Sequence, residues 1–165
     1  MRQIIIIAHN LRSAHNVGSL LRTAEGLGVT KVILSGYTPH GSYPDDRRLP
    51  HEVTKVAANI KKTALGAEAS QAWEYHADIM PVIAHLKKNG YVVAALEQTA
   101  DARELPRYNP PQKIAIILGR EVDGLESEVL AACDIALEIP MFGKKESYNV
   151  IQAAAMALYH CRFID

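Results

Sequence analysis

Residues 114–121 read IAIILGRE, an unbroken apolar run that ends in a short polar signature, and this stretch decides the fold class. Four more apolar runs are continuous rather than alternating, at 4–7, 32–34, 91–96 and 135–139. Continuous runs are typical of strands in a parallel sheet that helices cover on both faces. The sequence therefore predicts an α/β fold, with a parallel sheet flanked by helices.

The segments between these runs carry helical patterns and one long loop. Apolar residues recur at helical spacing over 17–27 and again over 79–86, where Asn89 and Gly90 end the pattern. Residues 36–50 hold three prolines and two glycines, and predict a long loop. This loop either contacts a ligand or is a mobile excursion of the surface.

The last predicted helix, over 149–164, is apolar on nearly every side. Its strongly polar side chains are Gln152, His160 and Arg162. A helix that is apolar all round needs burial on more than one side, and a domain of 165 residues has limited interior to offer. The pattern favours a homodimer.

Length and composition favour a single domain over residues 1–165. The chain is 48% hydrophobic, and no long linker or low-complexity tract divides it. Its N-terminal apolar run is too short for a signal peptide or a membrane span, so we expect a cytoplasmic protein without a membrane partner. Cys133 and Cys161 stand outside any CxxC or Cys/His cluster, which predicts buried free thiols and no metal site.

Three short polar signatures follow one another along the chain, each at the edge of an apolar run. They are NVGSLLRTA at 16–24, LGRE at 118–121 and IPMFGKKESYNV at 139–150. Each alone is common loop chemistry. In this order, the three resemble the SpoU (TrmH-like) family of RNA 2′-O-ribose methyltransferases, in the SPOUT superfamily. The resemblance covers nearly the whole chain, including KTALGAE at 62–68, which is similar to a sub-family feature.

The resemblance implies that the chain transfers the methyl group of S-adenosylmethionine to a ribose 2′-hydroxyl in structured RNA. Such a displacement needs the hydroxyl oxygen, the methyl carbon and the sulfur in line, so positioning should dominate the catalysis. The resemblance also implies a homodimer and a deep trefoil knot in the C-terminal part. Knots are rare among protein folds, and the sequence pattern by itself does not indicate one.

The cofactor contacts of the family fall, by motif position, on Leu96, Gly119, Ile139 and Tyr148. Gly119 is expected to let the backbone approach the cofactor, or else to form a plain turn between strand and loop. Leu96 either ends its strand at the pocket or packs in the core. The chain departs from the usual third signature at two positions. Tyr148 stands where the family generally has Leu or Met, and Ile151 stands where a small polar residue is common.

Arg22 matches the arginine that the family places near the ribose and the target phosphate. The role proposed in the family is that of a general base. A guanidinium has a pKa above about 12 and stays protonated in proteins, so a clamp on the phosphate and hydroxyl is the better hypothesis. The alternative is a surface arginine paired with Glu25 or Glu121.

Four further catalytic candidates follow from the signatures: Asn16, Glu121, Ser147 and Asn149. Asn16 is expected to hold Arg22 or the substrate, or else to cap a helix. Glu121 is expected to fix Arg22 by a charged pair. Ser147 and Asn149 either hydrogen-bond the ribose and shape the cofactor loop, or merely cap the last helix.

The charge balance restricts the expected RNA-binding surface. The chain has 18 basic and 18 acidic residues, whereas nucleic-acid binders usually carry an excess of positive charge. The footprint must therefore be local, with candidates at Arg12 with Arg22, Arg47-Arg48, Lys61-Lys62 and Lys144-Lys145. A short footprint favours tRNA over ribosomal RNA, and DNA is not expected as a substrate because such enzymes read the 2′-hydroxyl.

Missing motifs disfavour other enzyme classes. Residues 8–12 read AHNLR where a dehydrogenase has GxGxxG, and no P-loop sequence is present. His51-Glu52 lacks the second histidine of a metalloprotease helix, because position 55 is Lys. Two alternatives remain: a non-catalytic RNA-binding protein of the same fold, and a SPOUT methyltransferase that modifies a base.

Overall fold

A computed structural model describes residues 1–164, in which seven parallel strands form one sheet in the order β3-β2-β1-β6-β4-β7-β5. Every strand pair runs parallel. The strands are β1 (Gln3–His9), β2 (Lys31–Ser35), β3 (Trp73–His76), β4 (Val92–Leu96), β5 (Arg103–Glu104), β6 (Lys113–Leu118) and β7 (Ile135–Glu138). The predicted α/β fold with a parallel sheet is confirmed.

Helices cover both faces of this sheet. They are α1 (Ala14–Gly26), α2 (Pro50–Ala64), α3 (Ala67–Ser70), α4 (Met80–Lys88), α5 (Ser127–Ala132) and α6 (Val150–Phe163). The first three and α6 pack on one face, against alternate β1 residues such as Ile4 and Ile6. The other two, α4 and α5, pack on the opposite face against Ile5 and Ile7. Two apolar layers thus sandwich the central strands.

All five predicted strands are present, whereas β3, β5 and α2 were not predicted. The four residues of β3 are only half-buried or exposed, and β5 has two residues, so neither strand carries a continuous apolar run. The predicted loop after β2 ends at Leu49, because Pro50 is the first residue of α2. Proline is well suited to that position, since its missing N–H would be unpaired there.

A close crossing between α1 and α2 explains part of the first signature. A Cβ atom on Gly18 would lie 2.2 Å from the Ile60 carbonyl oxygen and 2.2 Å from the Thr63 hydroxyl. Thr63 Oγ1 also donates a hydrogen bond to the His15 carbonyl, at 2.8 Å. The segment at 62–68 therefore supports the N-terminal half of α1, where Asn16 lies.

Helix α6 buries only part of its apolar surface within the chain. Its inner side contributes Ile151, Ala154, Ala157, Leu158 and Cys161 to the core. On the outer side, Tyr159 and Phe163 are each 59% exposed, with ring centroids 4.7 Å apart. This is the surface that the sequence assigned to a second copy of the chain.

The two cysteines are free thiols, Cys161 buried and Cys133 partly so, as the sequence predicted. Burial raises the pKa of each thiol to about 11. Across residues 1–164, no group of three or more His, Cys, Asp or Glu side chains is arranged to hold a metal ion. None of the helices in these residues has the length and apolar character needed to cross a membrane.

Candidate active site

A cavity of about 290 Å³ opens at the carboxyl ends of β4, β6 and β7. Ligands of parallel α/β sheets usually bind at this edge. Its walls come from the ends of those strands, the loops that follow them and the first turn of α6. The lining consists of Leu96–Gln98, Leu118–Val122, Gly124, Leu137–Ile139, Glu146–Tyr148, Val150 and Ala153.

All four residues predicted to contact the cofactor line this cavity: Leu96, Gly119, Ile139 and Tyr148. Two of the predicted catalytic residues, Glu121 and Ser147, line it as well. Asn16, Arg22 and Asn149 do not belong to its lining. The second and third signatures therefore meet at one site, and the first lies outside the cavity itself.

Position 119 requires a glycine for a structural reason that the sequence did not reveal. A Cβ atom there would lie 2.7 Å from the backbone of both Gly124 and Leu125. The loop folds back on itself, with mutual backbone hydrogen bonds between Arg120 and Gly124 of 3.2 and 3.3 Å. The glycine is required by this fold-back of the loop, in addition to any approach by a ligand.

Glu97 secures the same loop from the neighbouring strand. Its carboxylate accepts hydrogen bonds from the backbone amides of Leu125, at 3.1 Å, and Gln98, at 3.2 Å. Gln98 in turn donates from Nε2 to the Glu146 carbonyl, at 3.1 Å. These two residues join three walls of the cavity, and no motif pointed to them beyond their adjacency to Leu96.

Glu121 joins the first signature to the second. Its Oε1 accepts hydrogen bonds from Asn16 Nδ2, at 3.2 Å, and from the Arg12 amide, at 3.4 Å. The expected charged pair between Glu121 and Arg22 is not present. The Arg22 side chain is exposed, and across residues 1–164 it forms no ion pair or hydrogen bond with Glu25 or any other residue. The Glu121 carboxylate is held by Asn16 instead.

Ser13 caps α1 and Asn149 caps α6, whereas Asn16 and Ser147 cap neither helix. Ser13 caps α1, accepting from the Asn16 amide at 3.2 Å, so a capping role for Asn16 is wrong. Asn149 does cap α6, with Oδ1 accepting from the Ile151 amide at 2.9 Å. Ser147 is exposed and lines the cavity, and its hydroxyl forms no hydrogen bond within residues 1–164.

A partly buried polar cluster lies at the ends of β1 and β2, beside the second signature. His9 Nδ1 shares a hydrogen bond of 2.8 Å with the Ser35 hydroxyl. Asn10, in the left-handed region at φ 57°, donates to Glu126 Oε1 at 3.0 Å and accepts from the Tyr37 amide at 3.0 Å. Glu126 directly precedes α5 at its N-cap position and lies 3.6 Å from the Arg120 guanidinium. The cluster thus anchors the far end of the loop that walls the cavity.

Burial and charge set the protonation of this cluster. Burial lowers the pKa of His9 below its ordinary value, and the attraction of Glu126 offsets this only in part. Burial raises the pKa of Glu126, but hydrogen bonds to its own backbone amide and from Asn10 outweigh that effect and lower it overall. At neutral pH the cluster therefore holds a neutral imidazole beside a carboxylate.

The long loop at 36–49 makes contacts within itself and with β3. The His40 ring stacks on Tyr75 with centroids 3.8 Å apart. Arg48 donates to Asp46 at 2.6 Å and to the Gly41 carbonyl at 2.7 Å, and this pairing lowers the pKa of Asp46 to about 2. Arg48 is therefore engaged within the loop, and of that predicted basic pair only Arg47 is exposed.

Residues 3–159 match the protein family described as the SpoU rRNA Methylase family. The chain belongs to this family. SpoU methylases use S-adenosylmethionine as the methyl donor. The chain is 28% identical over 162 residues to the tRNA (guanosine(18)-2′-O)-methyltransferase of Thermus thermophilus, covering 96% of this chain and 74% of that protein. It is 31% identical over 165 residues to the 23S rRNA (guanosine-2′-O-)-methyltransferase RlmB of Xylella fastidiosa, covering 94% and 57%.

Solved structures of RNA-modifying enzymes share the fold. An AdoMet-bound rRNA methyltransferase from Sinorhizobium meliloti superposes with a TM-score of 0.80 at 19% identity, covering 97% of this chain and 56% of that one. The A. aeolicus TrmH/SpoU tRNA modifying enzyme gives 0.78 at 18% identity, covering 98% and 75%. The chain thus spans little more than half the length of several relatives that it matches.

Proposed function

We propose that this chain is an RNA 2′-O-ribose methyltransferase that binds S-adenosylmethionine in the cavity at the carboxyl ends of β4, β6 and β7. The observation that carries the proposal is that the second and third SpoU signatures meet around this one cavity, at Gly119, Ile139 and Tyr148. We further propose that residues 1–165 act as a single methyltransferase domain in the cytoplasm.

The lining of the cavity fits this cofactor. Its volume of about 290 Å³ lies just below the range of roughly 300–1,000 Å³ usual for small-molecule sites. Apolar side chains such as Leu118, Leu137 and Val150 suit an adenosyl group. Four lining residues are carboxylates and only Arg120 is a cation, which suits a ligand that carries a sulfonium and an ammonium group.

S-adenosylmethionine, when bound, supplies an electrophilic methyl group. The chain's own residues must then place a ribose hydroxyl in line and exclude water. Ser147, exposed beside the cavity, is available to hydrogen-bond the ribose. Glu121 holds Asn16 and the start of α1 against the cavity loop, so it acts by fixing this geometry. As the oxygen–carbon bond forms, the bond between the methyl carbon and the sulfur would break, the sulfur would leave as a neutral thioether, and the hydroxyl proton would pass to solvent or to a base.

Arg22 is proposed to bind the target phosphate and orient the hydroxyl. Its guanidinium is exposed and unpaired within residues 1–164, so it is free to form charged hydrogen bonds with RNA. Because a guanidinium stays protonated, this role needs no change in its charge. Arg22 does not line the cavity of its own chain, which makes the assembly of the protein part of the proposal.

The proposed assembly is a homodimer through the outer face of α6, where Tyr159 and Phe163 are exposed. A symmetric dimer is the commonest way to cover such a surface. We also propose that the segment ending in α6 is threaded as a trefoil knot. The Gln98 hydrogen bond to the Glu146 carbonyl, which ties this segment to the loop after β4, is in keeping with such threading.

The proposed substrate is a structured RNA, with tRNA favoured over ribosomal RNA. Relatives are named for both kinds of RNA, so the preference rests on the net charge of zero and on the short stretch that the chain can grip. To test it, purified protein and labelled cofactor are incubated with separate tRNA and ribosomal RNA pools from a strain that lacks the protein. Label in ribosomal RNA alone would contradict the tRNA preference.

Substitution of Arg22 tests the catalytic assignment. Arg22→Ala should abolish methyl transfer and leave cofactor affinity, measured by calorimetry, nearly unchanged. Arg22→Lys keeps the charge but loses the planar fork, so it should retain part of the activity without a steep dependence on pH. Full activity of Arg22→Ala would contradict the assignment, and absence of cofactor binding in the unmodified protein would favour a non-catalytic RNA-binding role.

A further inference from the structure

Two loops at the mouth of the cavity each carry a nearly fully exposed apolar side chain. Phe142 is 98% exposed and Val122 is 85% exposed, more than any other large apolar residue of residues 2–164. Val122 lines the cavity, and Phe142 lies between the lining residues Ile139 and Glu146. We call residues 139–149, which link β7 to α6, the rim loop. A ring this exposed contributes little to the core, and its faces are free to contact a ligand.

The rim loop also carries cations that the rest of the chain does not neutralise. Lys144 and Lys145 are exposed, and within residues 1–164 neither forms an ion pair or a hydrogen bond. Gly143 stands between them and Phe142, and a Cβ atom added to it would have no neighbour within 4 Å, so the loop faces open solvent there. An exposed ring next to two free ammonium groups matches an unpaired RNA nucleotide, which offers a base to stack on and flanking phosphates.

We infer that Phe142 stacks on the base of an unpaired RNA nucleotide next to the methylated one, while Lys144 and Lys145 contact its phosphates. The inference rests on the proposed function and adds a specificity-determining surface to it. The C-terminal end of the rim loop is held by Gln98 and by the Asn149 cap, so the surface is tied to the cavity wall. A flipped or splayed nucleotide would thereby be fixed relative to the reacting ribose.

The test measures the affinity of the full chain for fluorescently labelled bulk bacterial tRNA, with ribosomal RNA as a competitor. Phe142→Ala should weaken RNA binding by about 5- to 150-fold, the range expected for loss of one stacked base. Cofactor affinity by calorimetry and molar mass by light scattering should stay unchanged. Ala84→Trp is the control and should bind RNA like the unmodified protein, because Ala84 is exposed on α4 and lies outside the cavity lining.

Phe142→Trp gives a direct signal of stacking. This variant should keep RNA binding, and its added tryptophan should lose fluorescence when tRNA binds, since the chain has only one native tryptophan, Trp73. Ala84→Trp, with an exposed tryptophan on α4, should show no such quenching. In the double variant Lys144→Ala/Lys145→Ala, the dependence of binding on salt should become shallower by about 0.7–0.9 in logarithmic slope for each lost phosphate contact.

The outcomes separate this inference from the proposed function. Unchanged RNA affinity of Phe142→Ala, in a protein that still methylates RNA, would overturn the inference alone. A lower molar mass of Phe142→Ala would assign the ring to the interface between two copies and would overturn it as well. An unmodified protein that binds cofactor but neither binds nor methylates RNA would overturn both.

Discussion

Glu121 shows how single residues join distant signatures. It bonds to Asn16, 105 positions away, and so couples the start of α1 to the loop that walls the cavity. The expected partner was Arg22, which lies further along α1. Since Asn16 occupies the carboxylate, Arg22 stays available for RNA, and the contact serves the proposed catalytic role better than the expected pair would.

His9 should make the stability of the protein depend on pH near neutrality. Burial lowers its pKa in the folded state, whereas the unfolded chain keeps the ordinary value near 6.5. Below about pH 6.5 the unfolded state therefore binds more protons, and the free energy of unfolding should decrease as the pH falls, by at most about 1.4 kcal/mol per pH unit for each such group. Urea unfolding between about pH 5.5 and 7.5 measures this slope.

His40 provides the comparison, because burial lowers its pKa as well. His9→Gln should reduce the slope in part, and His9→Gln/His40→Gln should reduce it further. The range above about pH 5.5 keeps Asp46 and Glu126 ionised, since the pKa of each is lowered. A slope that persists in the double variant would show that neither histidine is responsible.

At the scale of elements, the crossing of α1 and α2 depends on the absence of a side chain at Gly18. In Gly18→Ala, the new Cβ would lie within 2.2 Å of the Ile60 carbonyl oxygen, so the helices must separate. We expect a loss of about 1–3 kcal/mol of stability, as for other overpacked sites. Gly26→Ala is the control on the same helix, because no atom lies within 4 Å of its Cβ position.

Thermal and urea unfolding of both variants measures the difference. Gly26→Ala should be neutral or slightly stabilising, by up to about 1 kcal/mol, because alanine loses less backbone entropy on folding than glycine. Equal stability of the two variants would show that α1 and α2 adjust to a side chain at Gly18 at little cost.

The elements that the sequence predicted are those with a strong local pattern. The run ending at Leu118 was predicted as a buried strand from its continuous apolar residues, whereas the grouping of Leu96, Gly119 and Ile139 followed from the resemblance to the family's signatures. The contacts of Glu97 and Gln98 were not predictable, because they depend on how loops from different strands pack. The short strands β3 and β5 have no apolar run to reveal them.

At the scale of the whole molecule, Arg22 is not among the residues that line the cavity of its own chain, although both belong to family signatures. A homodimer through α6 offers a solution, because α1 packs beside α6 in the core and comes close to the proposed interface. We therefore expect Arg22 of one protomer to act at the cavity of its partner. Light scattering should give the mass of a dimer, and complementation between variants tests the shared site.

The complementation test uses two variants. Arg22→Ala lacks the arginine but keeps an intact cavity, whereas Ser147→Trp keeps Arg22 but should block the cavity that Ser147 lines. Each homodimer should be inactive. The two variants are then unfolded, mixed and refolded together, so that mixed dimers form. If Arg22 acts across the interface, each mixed dimer has one site with an intact cavity and an intact Arg22. Activity should then return to about a quarter of the unmodified level, because about half of the dimers are mixed and each has one complete site of two. A mixture no more active than its components would place Arg22 at the cavity of its own chain.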